Sequence, residues 1–544
     1  MSKIVFRESE YELVPSIQDK TLRINLNKDI YGSFAEIGAG QETARHFFRA
    51  GGASGTIAKA MSAYDKSFSD AIYGTENDGR YVTESRLRKM LSHETNLLEE
   101  RIDKSQNPDY LFFTYANTVA TIDFSKRYKG HGWLGIKFQL EPNQKVYNEI
   151  ILHVRFKQNE ARLQQETCGI VGVNLIYGAF YKHYEPKKLL KYLYDHIDKD
   201  TLEIDMINFS GPHFEQVDNR LMSLQLIKNN MTEAVMFGPD GNNLLPAALL
   251  YKKNILALRG SFRPVTRLNI DMLNKSSEIF MTEEKVNQKN TEVIFEITLD
   301  NLKAHGDIDE KDFIARADLL SSLGHTVMIS KFQEYYKLVE YFHKYTKNRI
   351  GLTMGLNNLI DVFDDKYYRH LSGGILEAFG KLFFKNVKVY LYPMKDPKTG
   401  AILNSDNIKV HPRMKDLYKF FKHNGKVKDI EDFDEKNLDI FSREILQKIA
   451  DNQPGWEEML PEGIADIIKE KNLFINIKVS EEIFPWKNIL SYEFKNLIRV
   501  ILSSDFIDYM TNDSISINYK GCTMKSIVFF PHELFRTPYA IGIN

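Results

Sequence analysis

Residues 259–266 read Arg-Gly-Ser-Phe-Arg-Pro-Val-Thr, directly after the apolar run 254–258. A strand ending in such a loop gathers backbone N–H groups at one point, the arrangement that cradles a phosphate. Gly260 lets the backbone come close to a ligand, Ser261 and Thr266 bring hydroxyls, and Phe262 stands with them among the candidate binding residues. Arg259 and Arg263 flank the loop with guanidiniums that can grip a phosphate through two parallel hydrogen bonds. Pro264 fixes the backbone φ behind Arg263. The chemistry implied is binding of a phosphorylated small molecule, with Arg263 stabilising charge that develops at phosphorus.

Two more loops follow apolar runs in the same way, FSGPHF at 209–214 and MFGPDGNN at 236–243. They add His213, Gly238, Asp240 and Gly241 to the candidate binding residues, and all three loops are expected side by side around one pocket. Turn geometry alone also puts Gly and Pro after strands, and for each loop that reading stands beside the functional one.

The third loop resembles the first motif of the nicotinamide and nicotinic acid mononucleotide adenylyltransferases. There a strand runs into Gly-Ser-Phe-x-Pro-x-Thr and a histidine follows. Gly260, Ser261, Phe262, Pro264 and Thr266 match it, and Asn269 stands where that family has its histidine. A second motif of the Ile-Ser-x-x-x-x-Arg kind is absent, since ISKFQEYY at 329–336 has no arginine. More broadly, the chain resembles a large uncharacterised bacterial family often labelled nicotinate-nucleotide adenylyltransferase. The resemblance implies an open-sheet protein using ATP and Mg²⁺ on a mononucleotide. Without the histidine, phosphorus would be stabilised by Arg259, Arg263 or Arg267 and by backbone N–H groups, with Asn269 at the histidine position.

Other clusters carry weaker chemistry. EIGAG at 36–40 resembles the glycine loop of S-adenosylmethionine-dependent methyltransferases, but Gln41 and Glu42 replace the third small position. Arg45, Arg49 and Lys59 surround AGGASGT at 50–56, which suits a phosphate or a tight helix crossing. His131, His213 and His325 are isolated in sequence, with no partner at metal spacing. Asn357, Asn358, Asp361, Asp364 and Asp365 offer oxygen ligands for Mg²⁺ or a solvated helix face. The two cysteines, Cys168 and Cys522, have no metal-like spacing, so no metal site is expected from them.

The elements that must position these residues are legible as a pattern. YLFFTYANTVATIDF (110–124), GWLGIKFQL (132–140) and NEIILHVRF (148–156) are β-rich, and EPNQKVY is a hairpin connection between the last two. From residue 150 on, eight apolar runs of strand length alternate with helical stretches, through 202–209, 233–238, 254–260, 292–299, 325–330, 349–355 and 387–394. Such alternation predicts βα units and a parallel sheet. Eight runs favour a (β/α)8 barrel; if 150–156 pairs with 132–140 in a hairpin, seven remain and a doubly wound open sheet fits. The expected organisation is therefore α/β: an N-terminal α+β region (1–147), a parallel body (148–395) and a mostly helical C-terminal region (408–544), with a further strand in KSIVFF (525–530). The stretch 396–407 is the expected linker.

Composition sets the outer limits. The chain has 544 residues, 43% hydrophobic, with a formal net charge of -1, so it lacks the basic field that nucleic-acid binding needs. Charge enters by Lys3, too early for a secretory signal, and the apolar stretch 168–180 is too short to span a bilayer. A cytoplasmic protein without membrane contact is expected. The leading function is an adenylyltransferase-like enzyme on a phosphorylated small molecule. The alternative is a non-catalytic self-assembling scaffold or ligand sensor with a decayed phosphate site, and near-zero net charge leaves homo-oligomerisation open.

Overall fold

The computed structural model describes residues 14–76, 79–127, 129–303, 307–396 and 398–474, and the backbone of 516–519 and 522–525. The chain divides into units Met1–Lys478 and Val479–Asn544. In the first unit, β1 (Ile30–Gly38), β2 (Ile57–Ala63), β3 (Leu111–Ala120), β4 (His131–Phe138), β5 (Asn148–Phe156) and β6 (Leu202–Ser210) form one sheet in the order β2-β1-β3-β4-β5-β6. β1, β2 and β3 are parallel, and β4, β5 and β6 are added antiparallel.

Helix Glu84–Arg101, started by the Thr83 side chain, covers one face of this sheet with Leu87, Met90 and Leu91 against Ala116, Trp133 and Ile151. Each such side chain taken from water contributes roughly 1.5–3 kcal/mol. The other face carries helices Glu42–Ala50 and Ala161–Tyr181. The apolar stretch 168–180 lies in the latter helix and is buried on nearly all sides. Gly169 and Gly172 let it touch its neighbour, because a Cβ there would come within 2.7 Å of Glu42 and 2.4 Å of Thr43. Cys168 is a buried free thiol in this layer. No helix among the described residues is long and apolar enough to cross a membrane.

The second sheet begins with β7 (Ala234–Phe237), β8 (Asn243–Leu244), β9 (Asn254–Arg259), β10 (Thr291–Thr298), β11 (Thr326–Ser330), β12 (Ile350–Gly355) and β13 (Val387–Tyr392). A short antiparallel pair, β14 (Met394–Lys395) and β15 (Ile402–Leu403), then leads to β16 (Val427–Asp429). The sheet order is β16-β13-β12-β9-β10-β11-β7-β8. β9 to β13 and β16 are parallel, while β7 runs antiparallel against β11.

The fold is α/β with open sheets, and the expected barrel does not close. All eight predicted runs are strands, but they split between two sheets. The short 139–147 connection returns β5 antiparallel on β4, and β6 follows, so both complete the first sheet instead of starting a parallel body at 148. The stretch 396–407 is no linker: Asp396 accepts from the Lys398 and Thr399 N–H groups in the β14–β15 turn, and the chain goes on to β16, which pairs with β13 in the second sheet. Beyond the β14–β15 pair lie helices Lys415–His423, Ser442–Ala450 and Ile464–Glu470.

In the second unit β17 (Ser516–Tyr519) and β18 (Cys522–Lys525) pair antiparallel. Of the expected strand 525–530, only Lys525 falls within the described residues.

Candidate functional site

The loop 260–265 leaves the carboxyl end of β9. From β9 the chain adds β10 and β11 on one side, then crosses back to add β12, β13 and β16 on the other. The neighbours β9 and β12 therefore flank the point where strand order reverses, and in open α/β sheets ligands bind in the crevice outside the strand ends there. The loop feeds helix Arg267–Met281, whose first turn holds no acidic residue.

Thr266 and Asn269 form a reciprocal cap. Thr266 Oγ1 accepts the Asn269 N–H at 3.3 Å, and Asn269 Oδ1 accepts the Thr266 N–H and hydroxyl, both at 3.0 Å. The residue at the histidine position thus works as a helix cap. Phe262 takes a left-handed φ of 46° and buries its ring edge-on against Phe295, 4.9 Å away. Loop carbonyls turn inward: Asn301 Nδ2 donates to Gly260 O at 3.2 Å and Arg316 Nη1 to Ser261 O at 3.1 Å. Ser261 itself is exposed on the lip.

The arginines proposed for phosphate all have protein partners. Arg259 holds the Glu296 carboxylate through Nε at 2.8 Å and Nη2 at 3.0 Å, donates Nη1 to Gln333 O, and lies over the Tyr335 ring. Glu296 is fully buried and also accepts from Ser330 Oγ at 2.6 Å. Burial pushes the Tyr335 phenol up to about 12, and its hydroxyl accepts from Asn358. Arg263 Nε meets Asp312 at 2.6 Å, and Asp312 is shared with the buried Arg316; Arg263 Nη1 has no partner. Arg267 donates to Leu460 O. Glu296, Asn301, Asp312 and Arg316 escaped the sequence reading. A signal existed for Glu296, the acid inside the apolar run VIFEIT, because a carboxylate in a doubly covered strand requires a partner.

The other two loops are elsewhere. Because β7 runs against β11, the turn with Gly238, Asp240 and Gly241 lies at the opposite end of the sheet from Gly260. There Asp240 accepts from the Asn242 N–H at 3.0 Å and its side chain at 2.8 Å. His213 follows β6 of the first sheet, where its N–H donates to Asn148 and its ring borders a 460 Å³ cavity with Glu141 and Gln144. The expected single pocket of three loops does not form, since strand direction and sheet membership separate them.

Around AGGASGT, Gly51 and Gly52 turn the chain at positive φ and Asn25 Nδ2 donates to Phe47 O and Gly51 O, a structural crossing. Arg45 pairs with Glu42 and Lys59 with Glu94. Asp364 caps a short turn and pairs with Lys366, and among the described residues no cluster of three His, Cys, Asp or Glu side chains could hold a metal. His131 proves not to be isolated: its Nδ1 lies 3.0 Å from His153 Nε2, and His153 Nδ1 lies 2.5 Å from Asp205 Oδ1. Burial and the neighbouring His153 and Arg155 hold His131 down near 4, so it is neutral at pH 7. His325 packs on Phe295.

No family model and no curated protein matches the sequence. Among solved structures, the chain is similar to a competence-damaged protein (CinA) superfamily protein from Enterobacter cloacae, with 11% identity and a TM-score of 0.23 over 33% of this chain and 98% of that one. A competence/damage-inducible protein from Agrobacterium tumefaciens gives 17% identity and 0.22 over 30% and 94%. Plasmodium falciparum nicotinic acid mononucleotide adenylyltransferase, complexed with APC, gives 16% and 0.26 over 41% and 97%.

Proposed function

We propose that the chain binds a nucleotide or related phosphorylated small molecule at the carboxyl end of β9, and that its reaction is adenylyl transfer from ATP to nicotinate or nicotinamide mononucleotide. The observation that carries this reading is the place of the Gly260–Thr266 loop at the reversal point of strand order, feeding a helix whose first turn has no acid. Gly260 and Ser261 would give the backbone approach and the exposed hydroxyl, with the helix end facing the phosphates. Arg263 would contribute through Nη1, its Nε being held by Asp312. Mg²⁺, when bound with ATP, would supply charge neutralisation between the phosphates. Gly238, Asp240, Gly241 and His213 do not belong to this site.

Titration with ATP–Mg²⁺ tests the reading. Ser261→Asp places a carboxylate on the lip without touching the core, so it should lower affinity at least tenfold while stability changes by less than about 0.5 kcal/mol. Wild type that binds neither ATP nor a mononucleotide would sink the proposal. A second reading, a sensor or scaffold without catalysis, is favoured by the use of Asn269 as a cap and of Arg259 as a buried counter-ion. Pyrophosphate release from ATP plus mononucleotide separates the two: binding without release supports the sensor.

A further inference from the structure

The two sheets meet across a cavity of about 620 Å³ that the function above does not use. β6 and the start of helix Glu84–Arg101 form one wall; the segment 217–220 and the β7–β8 turn form the other. We propose that this cavity binds a neutral sugar ring through its hydroxyl groups.

Two side-chain amides select that chemistry. Asn243 Nδ2 donates to Ile207 O at 2.9 Å and Asn219 O at 3.3 Å, which fixes the amide and leaves Oδ1 buried with no partner. A buried acceptor of this kind calls for a donor, and a ligand hydroxyl is one. Asn208, one residue along β6 from Ile207, lines the same space, and its side chain makes no hydrogen bond to any described residue. Side-chain amides both donate and accept, as each hydroxyl of a sugar does.

Charge rules out the main competitor. Both lining guanidiniums are already shared between two carboxylates, Arg88 with Glu84 and Glu149, and Arg220 with Asp218 and Asp318. With Asp240 on the wall as well, acids outnumber cations, so a phosphate is repelled while hydroxyl donors find acceptors. Met206 and Val217 supply the apolar contact that the C–H face of a sugar ring needs.

The ring could be a free sugar or the ribose of a nucleoside, and the test separates them. The full chain is titrated calorimetrically with D-ribose, D-glucose, adenosine and spermidine. Binding of at least one of the first three is expected, with affinity at least tenfold weaker in Asn208→Leu and unchanged in Ser261→Asp. Adenosine binding with silent free sugars assigns the ribose of a nucleoside; the reverse assigns a free sugar. Asp240→Asn, which removes an acceptor at a surface turn, should weaken the same ligand if Asn208→Leu proves unstable. Silence of all three hydroxyl ligands, binding of spermidine alone, or sugar binding indifferent to both variants overturns the proposal. The free-sugar outcomes do not depend on ATP binding at Ser261, and adenosine counts for this cavity only where Asn208→Leu or Asp240→Asn weakens it.

Discussion

In each sheet region one parallel strand runs through a glycine-bearing loop into a helix, β1 through Gly38–Gln41 into Glu42–Ala50 and β9 through Gly260–Val265 into Arg267–Met281. In the first region the helix end is filled from within. Glu36 Oε1 accepts the Thr43 N–H at 3.1 Å and Oε2 the Ala44 N–H at 3.4 Å, and Asn117 donates to the same carboxylate. The protein's own strand supplies a carboxyl whose oxygens accept from the otherwise unpaired N–H groups of the helix N-terminus. In the second region the cap is neutral, Thr266 with Asn269, and no carboxylate is spent there. A shared sequence signature thus has two meanings, set by one side chain at the strand end.

The largest effect should come from removing the counter-ion beneath the second loop. Glu296→Ala leaves the Arg259 guanidinium, 8% exposed, without its carboxylate, and should cost about 3–5 kcal/mol in urea denaturation. A cost under about 1 kcal/mol would show that the second loop does not rest on this pair.

Next comes the plug of the first region. Burial raises the Glu36 carboxyl from its ordinary 4.5 to about 7. A raised folded value means that its contribution is fully present below pH 4.5 and is lost as pH climbs through 7, a component of up to about 3 kcal/mol. Glu36→Gln should abolish that component, so the variant gains stability relative to wild type between pH 5 and pH 8. Parallel pH–stability curves would mean that Glu36 titrates normally and that the plug is not a desolvated anion.

Smaller again is the neutral cap. Thr266→Ala should cost about 1 kcal/mol, read as a lowered denaturation midpoint with an unchanged slope. Smallest is Arg45→Ala, which removes an exposed pair whose arginine is 58% accessible; a change below about 0.5 kcal/mol and no effect on ATP titration are expected. A loss of ATP affinity in that variant would move the phosphate site to the first region and reverse the comparison.

Much of this was written locally. Strands buried on both faces must be apolar along their length, so 202–209, 254–260, 292–299 and 387–394 were legible, and so was the Gly-Pro punctuation after them. The sequence by itself also determined the helix after Thr266, since a threonine cap with Asn three residues on needs no distant partner. What only the tertiary structure decided was pairing. Whether β5 returns on β4 and whether β7 runs with or against β11 depend on which surfaces bury best together, and these two choices broke the barrel and scattered the three loops. Strand register likewise sets Arg259 beside Glu296, 37 residues away, and the β4–β5–β6 ladder aligns His131, His153 and Asp205. A charge in an apolar run announces that it needs a partner, but its identity is fixed only when the sheet forms.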